Sequence, residues 1–177
     1  IPPHCMRLAR IVDALLLLAS VRQVESVNTE LLDVPTIVSN VQKRLTVLIA
    51  ERHAVIITSE TWPDVRSYGP WIEEVWANYV SNAVKYGGRP AEGIPPSVEL
   101  GYTMLDAEYS VLDTESSIRH PVSSIQLPAS SIRFWVRDNG PGIPVEQRAQ
   151  LFTKFTRLRD AEPGHGLGLS ITRNIVE

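Results

Sequence analysis

The chain has 177 residues, 44% hydrophobic and 21% charged, with a formal net charge of −3. This is the profile of a globular protein long enough to bury a core, and it excludes bulk nucleic-acid binding, which needs a basic stripe to displace phosphate counterions. A lone cysteine, Cys5, excludes a disulfide framework or a zinc cluster and points to a reducing, cytoplasmic setting.

Residues 5–25 read as one helix. Leu8, Ile11, Leu15 and Leu18 recur at steps of three and four, and Val12, Leu16 and Ala19 widen the apolar face. Its apolar run is shorter than the roughly 20 residues needed to cross a bilayer. The face is suited either to packing on the chain's own domain or to a bundle with helices from elsewhere. The opening Ile1-Pro2-Pro3, with no Met and no signal peptide, reads as part of a longer protein, whose other parts are free to include a membrane segment.

Asp33 is placed to cap a helix entered through Pro35, with Ile37, Val41, Leu45 and Leu48 on its buried side. Residues 53–59 predict a buried strand. A turn at 67–70 leads into a helix over 71–86, stopped by Gly87-Gly88, with Ile72, Val75, Tyr79 and Ala83 toward the core. Residues 89–96 read as a Pro/Gly-rich linker.

Val98, Leu100, Tyr102 and Met104 then alternate with Glu99, Gly101 and Thr103, a half-buried strand. Ile132, Phe134 and Val136 alternate with Arg133, Trp135 and Arg137 in the same way. Between them, residues 106–131 are rich in Ser, Asp and Glu and predict a long hairpin or an insertion. A short helix over 145–152 and one beginning near Leu167 complete the chain. Helices mixed with largely antiparallel strands predict an α+β, two-layer α/β sandwich.

Three stretches bear chemistry. At about 100° per residue, Asn78, Asn82 and Lys85 fall on one helical stripe within roughly 60°. Mid-helix Asn costs propensity, so two of them one turn apart, followed by Lys, read either as a solvated face or as amide and ammonium groups for Mg²⁺ and phosphate. Asp138 closes a strand before Asn139-Gly140-Pro141-Gly142-Ile143. It reads either as a turn cap or as an acceptor for a buried donor such as an adenine amine, with glycines letting backbone approach a flat ring. Gly164-His165-Gly166-Leu167-Gly168-Leu169 leads into a helix whose exposed N–H groups suit an anion. Neither the dinucleotide fingerprint nor the P-loop is matched.

In this order, the stretches resemble the catalytic and ATP-binding domain of bacterial sensor histidine kinases. Residues 78–86 are similar to that family's N box, 138–143 to its first glycine box and 164–169 to its second. Phe152-Thr153-Lys154-Phe155 is similar to the F box of the lid. Residues 6–25 resemble the second helix of the dimerisation and phosphotransfer hairpin. The resemblance implies a Bergerat-like fold, with residues 1–28 a partial phosphotransfer helix and 29–177 a catalytic domain truncated at its C-terminus.

It also implies binding of ATP and Mg²⁺. Asn82 would hold the metal. Asn78 and Lys85 would act at the phosphates, together with Arg157. Tyr86, Ile143, Leu167 and Leu169 would line the pocket, and Asp138 would accept from the adenine amine. Gly140, Gly142, Gly164, Gly166 and Gly168 would shape pocket and lid, and His165 is placed to meet phosphate. Phe152 and Phe155 would anchor the lid, with Phe155 at its nucleotide edge.

The implied partners are the phosphoacceptor helix of the parent kinase, a response-regulator receiver domain, and a second copy bound through the N-terminal helix. No nucleic-acid partner is expected. The phosphoacceptor motif is absent: His4 is followed by Cys5-Met6-Arg7, and His53 and His120 read as structural or solvated. The γ-phosphate is therefore expected to go to a histidine outside this chain. The alternatives are an ATPase of the gyrase, chaperone and mismatch-repair superfamily and a non-catalytic nucleotide-binding or docking module. That hydrolase class places a Glu general base one turn before the metal-binding Asn, where this chain has Asn78, an amide that cannot take a proton; Glu74 lies a further turn away.

Overall fold

The computed structural model describes residues 28–105, 131–153 and 166–176. The expected N-terminal helix and the stretch between the two long strands lie outside the described residues.

The described chain opens with strand β1 (Glu30–Leu31), helix α1 (Val34–Arg44) and a short helix α2 (Thr46–Glu51). Asp33 caps α1 as expected: its Oδ1 accepts from Thr36 N at 3.1 Å and its Oδ2 from the Thr36 hydroxyl at 2.7 Å. Those two bonds, the side-chain bond first, hold the Asp33 carboxyl below its ordinary pKa. The single expected helix breaks at Leu45. The Thr46 hydroxyl takes the Gln42 and Lys43 carbonyls at 3.1 and 2.8 Å, a competition that bends helices.

Strands β2 (Val55–Thr58) and β3 (Arg66–Ser67) follow, then helix α3 (Gly69–Tyr86), with Pro70 in its first turn. Strands β4 (Ser97–Leu105) and β5 (Ser131–Asp138), helix α4 (Val145–Arg148) and helix α5 (Gly168–Val176) complete the order. His53 stands exposed before β2 in a left-handed conformation, with φ 51°.

β1 pairs with β3, and the main sheet runs β2-β4-β5. The expected antiparallel bias holds for β1–β3 and β4–β5, whereas β2 and β4 pair in parallel. Parallel pairing needs a crossover, and α3 supplies it between those strands. Helices α1 and α3 cover one sheet face. Val34, Ile37, Val38 and Val41 meet Trp76, Val80 and Val84 over Val98 and Leu100 of β4. On the other face Val55 and Ile57 are exposed, and the Trp135 ring lies against Gly101.

The core side of α3 meets expectation at Ala83 and, in part, at Ile72, and departs from it at Tyr79. Trp76, Ala77, Val80, Ala83 and Val84 are buried, while Tyr79 is 36% exposed. Tyr79 sits between the Asn stripe and the core arc, and partial burial pushes its phenol pKa up. Trp76 instead enters an aromatic cluster, edge-on to Trp62 and to Phe134 at centroid distances of 5.8 and 5.7 Å.

Candidate functional site

β5 delivers Asp138 by simple alternation. Ile132, Phe134 and Val136 form its helix-facing row, and Asp138 continues that row opposite Val98. The acid therefore emerges on the helix side of the sheet, beside the last turn of α3. It is exposed rather than buried, because the strand ends at the rim of the core. Asp138 Oδ1 accepts from Gly140 N at 2.8 Å. Among the described residues Oδ2 accepts no hydrogen bond and stays available to a ligand donor.

Gly140 is required by close approach. A Cβ there would stand 2.6 Å from the Tyr86 carbonyl oxygen and 2.7 Å from Asp138 Oδ1. The end of α3 and the carboxylate thus flank the same spot. Gly142 has φ 76° with open space around its Cα, and Ile143 is 39% exposed. The Ile143 carbonyl accepts from Arg148 Nε at 3.0 Å, which ties the turn to α4.

At the other end of the stripe, α5 packs on α3. Leu167 and Ile171 are buried, as are Ser170 and Thr172, whose hydroxyls donate to the carbonyls of Leu167 and Gly168. A Cβ at Gly168 would stand 2.6 Å from Asn78 Oδ1, so the second glycine stretch lies directly against the first Asn. Gly166 turns the chain into α5 with φ 66°. Asn78 Nδ2 is buried and has no hydrogen-bond partner among the described residues. Leaving such a donor unpaired costs about 1–3 kcal/mol, so it marks a place for an acceptor.

Asn82, Lys85, Tyr86 and Leu169 are part-buried, and Lys85 has an interaction of its own. Phe152 is 38% exposed and carries the Arg173 guanidinium 5.9 Å from its ring centroid, a link from the expected lid to α5. Phe155, Arg157, Gly164 and His165 lie outside the described residues, as do His4 and His120. Within those limits, α3 gathers the glycine turns: Gly168 at Asn78, and Gly140 with Asp138 at Tyr86. Sequence reading passed over Asn139, whose side chain bonds to Gly88, Pro95 and Ser97. Its only signal was an Asn within a glycine turn.

Glu74, the sequence's candidate base for hydrolysis, is engaged elsewhere. Its Oε2 meets Arg44 Nη1 at 2.7 Å, beside an open groove of about 490 Å³ that also takes in Leu31, Asp33 and Pro70. No residue of the Asn stripe or the glycine turns lines that groove.

Residues 68–177 match the family described as histidine kinase-, DNA gyrase B-, and HSP90-like ATPase. The chain belongs to that family. Within it, the chain is of the sensor-histidine-kinase type, with that type's ATP-binding catalytic core. It is 38% identical over 112 residues to the sensor protein KdpD of Escherichia coli (strain K12), a match covering 62% of this chain and 9% of KdpD. The fold is similar to the histidine kinase AdeS of Acinetobacter baumannii, with TM-score 0.67 and 21% identity over 97% of this chain and 68% of that one. It is also similar to full-length ShkA in complex with AMPPNP, with TM-score 0.66 and 21% identity over 96% of this chain and 30% of that one. The chain spans about a tenth of the length of the curated relatives it matches. No helix among the described residues is long and apolar enough to cross a membrane.

Proposed function

We propose that this chain binds Mg-ATP along the Asn stripe of α3 and presents its γ-phosphate to a histidine outside the chain, as the kinase core of a two-component sensor. The observation that carries the reading is the contact of both glycine turns with one helix, Gly168 against Asn78 and Gly140 against Tyr86. The base would lie at Asp138, whose Oδ2 accepts the adenine amine. The triphosphate would run along α3, meeting Lys85 and the Asn78 Nδ2, which has no partner among the described residues. Phosphoryl transfer rests chiefly on positioning and charge neutralisation, which amide, ammonium and helix N-terminal groups supply. AMPPNP in ShkA supports a triphosphate ligand for this fold.

The residues present fit a magnesium ion. The Asn82 side-chain oxygen is a hard ligand, and the Asn78 N–H seeks a phosphate oxygen beside it. Asn82 would hold the ion, which when bound neutralises charge on the phosphate oxygens. Residues 1–28 are assigned to the phosphotransfer hairpin and 29–177 to the catalytic domain. The parent's phosphoacceptor helix, a receiver domain and a second copy are the partners. The setting is cytoplasmic, in a parent free to be membrane-anchored.

The hydrolase reading is disfavoured because Glu74, one turn before Asn78, is paired with Arg44, and the amide at Asn78 cannot take a proton. Calorimetric titration with ATP, with and without Mg²⁺, tests the assignment. Asn82→Ala is expected to lose about 100-fold in affinity with Mg²⁺ and little in EDTA. Equal losses in both would remove Asn82 from the metal site. No binding by the wild type would favour a docking module, and sustained phosphate release by the chain alone would favour the hydrolase.

A further inference from the structure

The loop joining α3 to β4 is not the open linker its composition predicts. Gly88 has φ 69°, and a Cβ there would stand 2.6 Å from Ile94 O and 2.8 Å from Pro95 C. Arg89 and Ile94 exchange backbone hydrogen bonds of 2.9 and 3.1 Å, closing the loop over a 3₁₀ turn at Pro90–Glu92. Two backbone donors at the loop's ends then converge on one atom. Asn139 Oδ1 accepts from Gly88 N at 2.7 Å and from Ser97 N at 2.9 Å, while its Nδ2 donates to Pro95 O at 3.0 Å.

A carboxamide is the side chain suited to this place. Its oxygen has two lone pairs for the two N–H groups, and its nitrogen supplies the donor for Pro95. Aspartate keeps the acceptors and loses the donor. Alanine leaves part-buried backbone N–H groups without partners.

Asn139 stands between Asp138 and Gly140, and through Gly88 it grips the residues that follow the last turn of α3. Resting on the function proposed above, we propose that Asn139 is a positioning residue. Its three hydrogen bonds set the span between the Asp138 carboxylate, which receives the purine amine, and the Asn82–Lys85 turn, which receives the phosphates. It touches neither part of the nucleotide, so its effect falls on ligands that bridge the two ends.

The test uses the wild type, Asn139→Ala, Asn139→Asp and Asp138→Asn, each titrated with Mg-ATP and with Mg-tripolyphosphate, which lacks a base. Asn139→Ala is expected to weaken ATP about tenfold and to change tripolyphosphate by less than about twofold. Asn139→Asp should fall between Ala and wild type. Proportional loss of both ligands overturns the positioning role, since it marks a general structural defect. So does unchanged ATP binding in Asn139→Ala while Asp138→Asn weakens it, a result that leaves the functional reading standing. ATP binding that is absent from the wild type, or indifferent to Asp138→Asn, overturns the reading and this proposal together. Hydrogen exchange on the wild type gives a measurement independent of variant folding. The Gly88 and Ser97 amides should exchange as slowly as those inside β4, and fast exchange at both overturns the positioning role of the Asn139 hydrogen bonds.

Discussion

Two ends of α3 carry the candidate site, and they are built differently. At the C-terminal end, Asp138 is tied to Gly140, Gly140 abuts the Tyr86 carbonyl, and Asn139 bonds to three backbone groups across the loop. At the Asn78 end, α5 packs on α3 with Gly168 against the Asn78 amide oxygen, and the other half of that amide is buried without a partner among the described residues. The base end is therefore shaped by the protein's own backbone before any ligand arrives. The phosphate end holds polar capacity that a ligand completes. Such a division suits a pocket that reads a rigid base and accommodates a flexible, highly charged chain.

That contrast makes the base end intolerant of added volume. Gly140→Val puts atoms against the Tyr86 backbone oxygen, which cannot rotate away. A stability loss of about 3 kcal/mol in urea denaturation is expected, with ATP affinity falling by more than about 100-fold. Retained binding would show that the Gly140 turn has slack.

Asn78→Ala probes the other end. Removing an unsatisfied amide should leave the ligand-free chain within about 1 kcal/mol of wild type, because the lost contact offsets a relieved desolvation cost. Mg-ATP affinity should nonetheless fall about tenfold. A stability loss as large as that of Gly140→Val would erase the distinction between the ends.

Gly168→Ala should do least. Its Cβ would meet Asn78 Oδ1, the end of a side chain rather than backbone, and alanine favours the helix by up to about 1 kcal/mol over glycine. About a threefold loss of ATP affinity with unchanged or slightly higher melting temperature is expected. A larger loss would mean that Asn78 is held as firmly as Asp138.

Much of this was legible beforehand because it depends on near neighbours. Asp33 and Thr36 make a cap within one turn, Gly87-Gly88 stops α3, and alternation over β4 and β5 places Val98, Leu100, Phe134 and Val136 on one face. The order of the Asn stripe and glycine turns pointed to the family. The side of α3 that enters the core was misjudged by part of a turn, because Val75 and Tyr79 lie at the edge of its apolar arc. Only packing against α1 and β4 selects Trp76 and Val80.

By itself, then, the amino-acid order determined the long helix α3, the strands β2, β4 and β5, the Asp33 cap and the chemical character of the three stretches, since each follows from dihedral preference and periodicity over a few residues. Tertiary structure alone decided that β2 runs parallel to β4, that Glu74 is spent on Arg44, and that Asn139 closes the loop beside Asp138. Those outcomes join groups dozens of residues apart. Their hydrogen bonds exist only after burial of the shared core has brought the partners within reach.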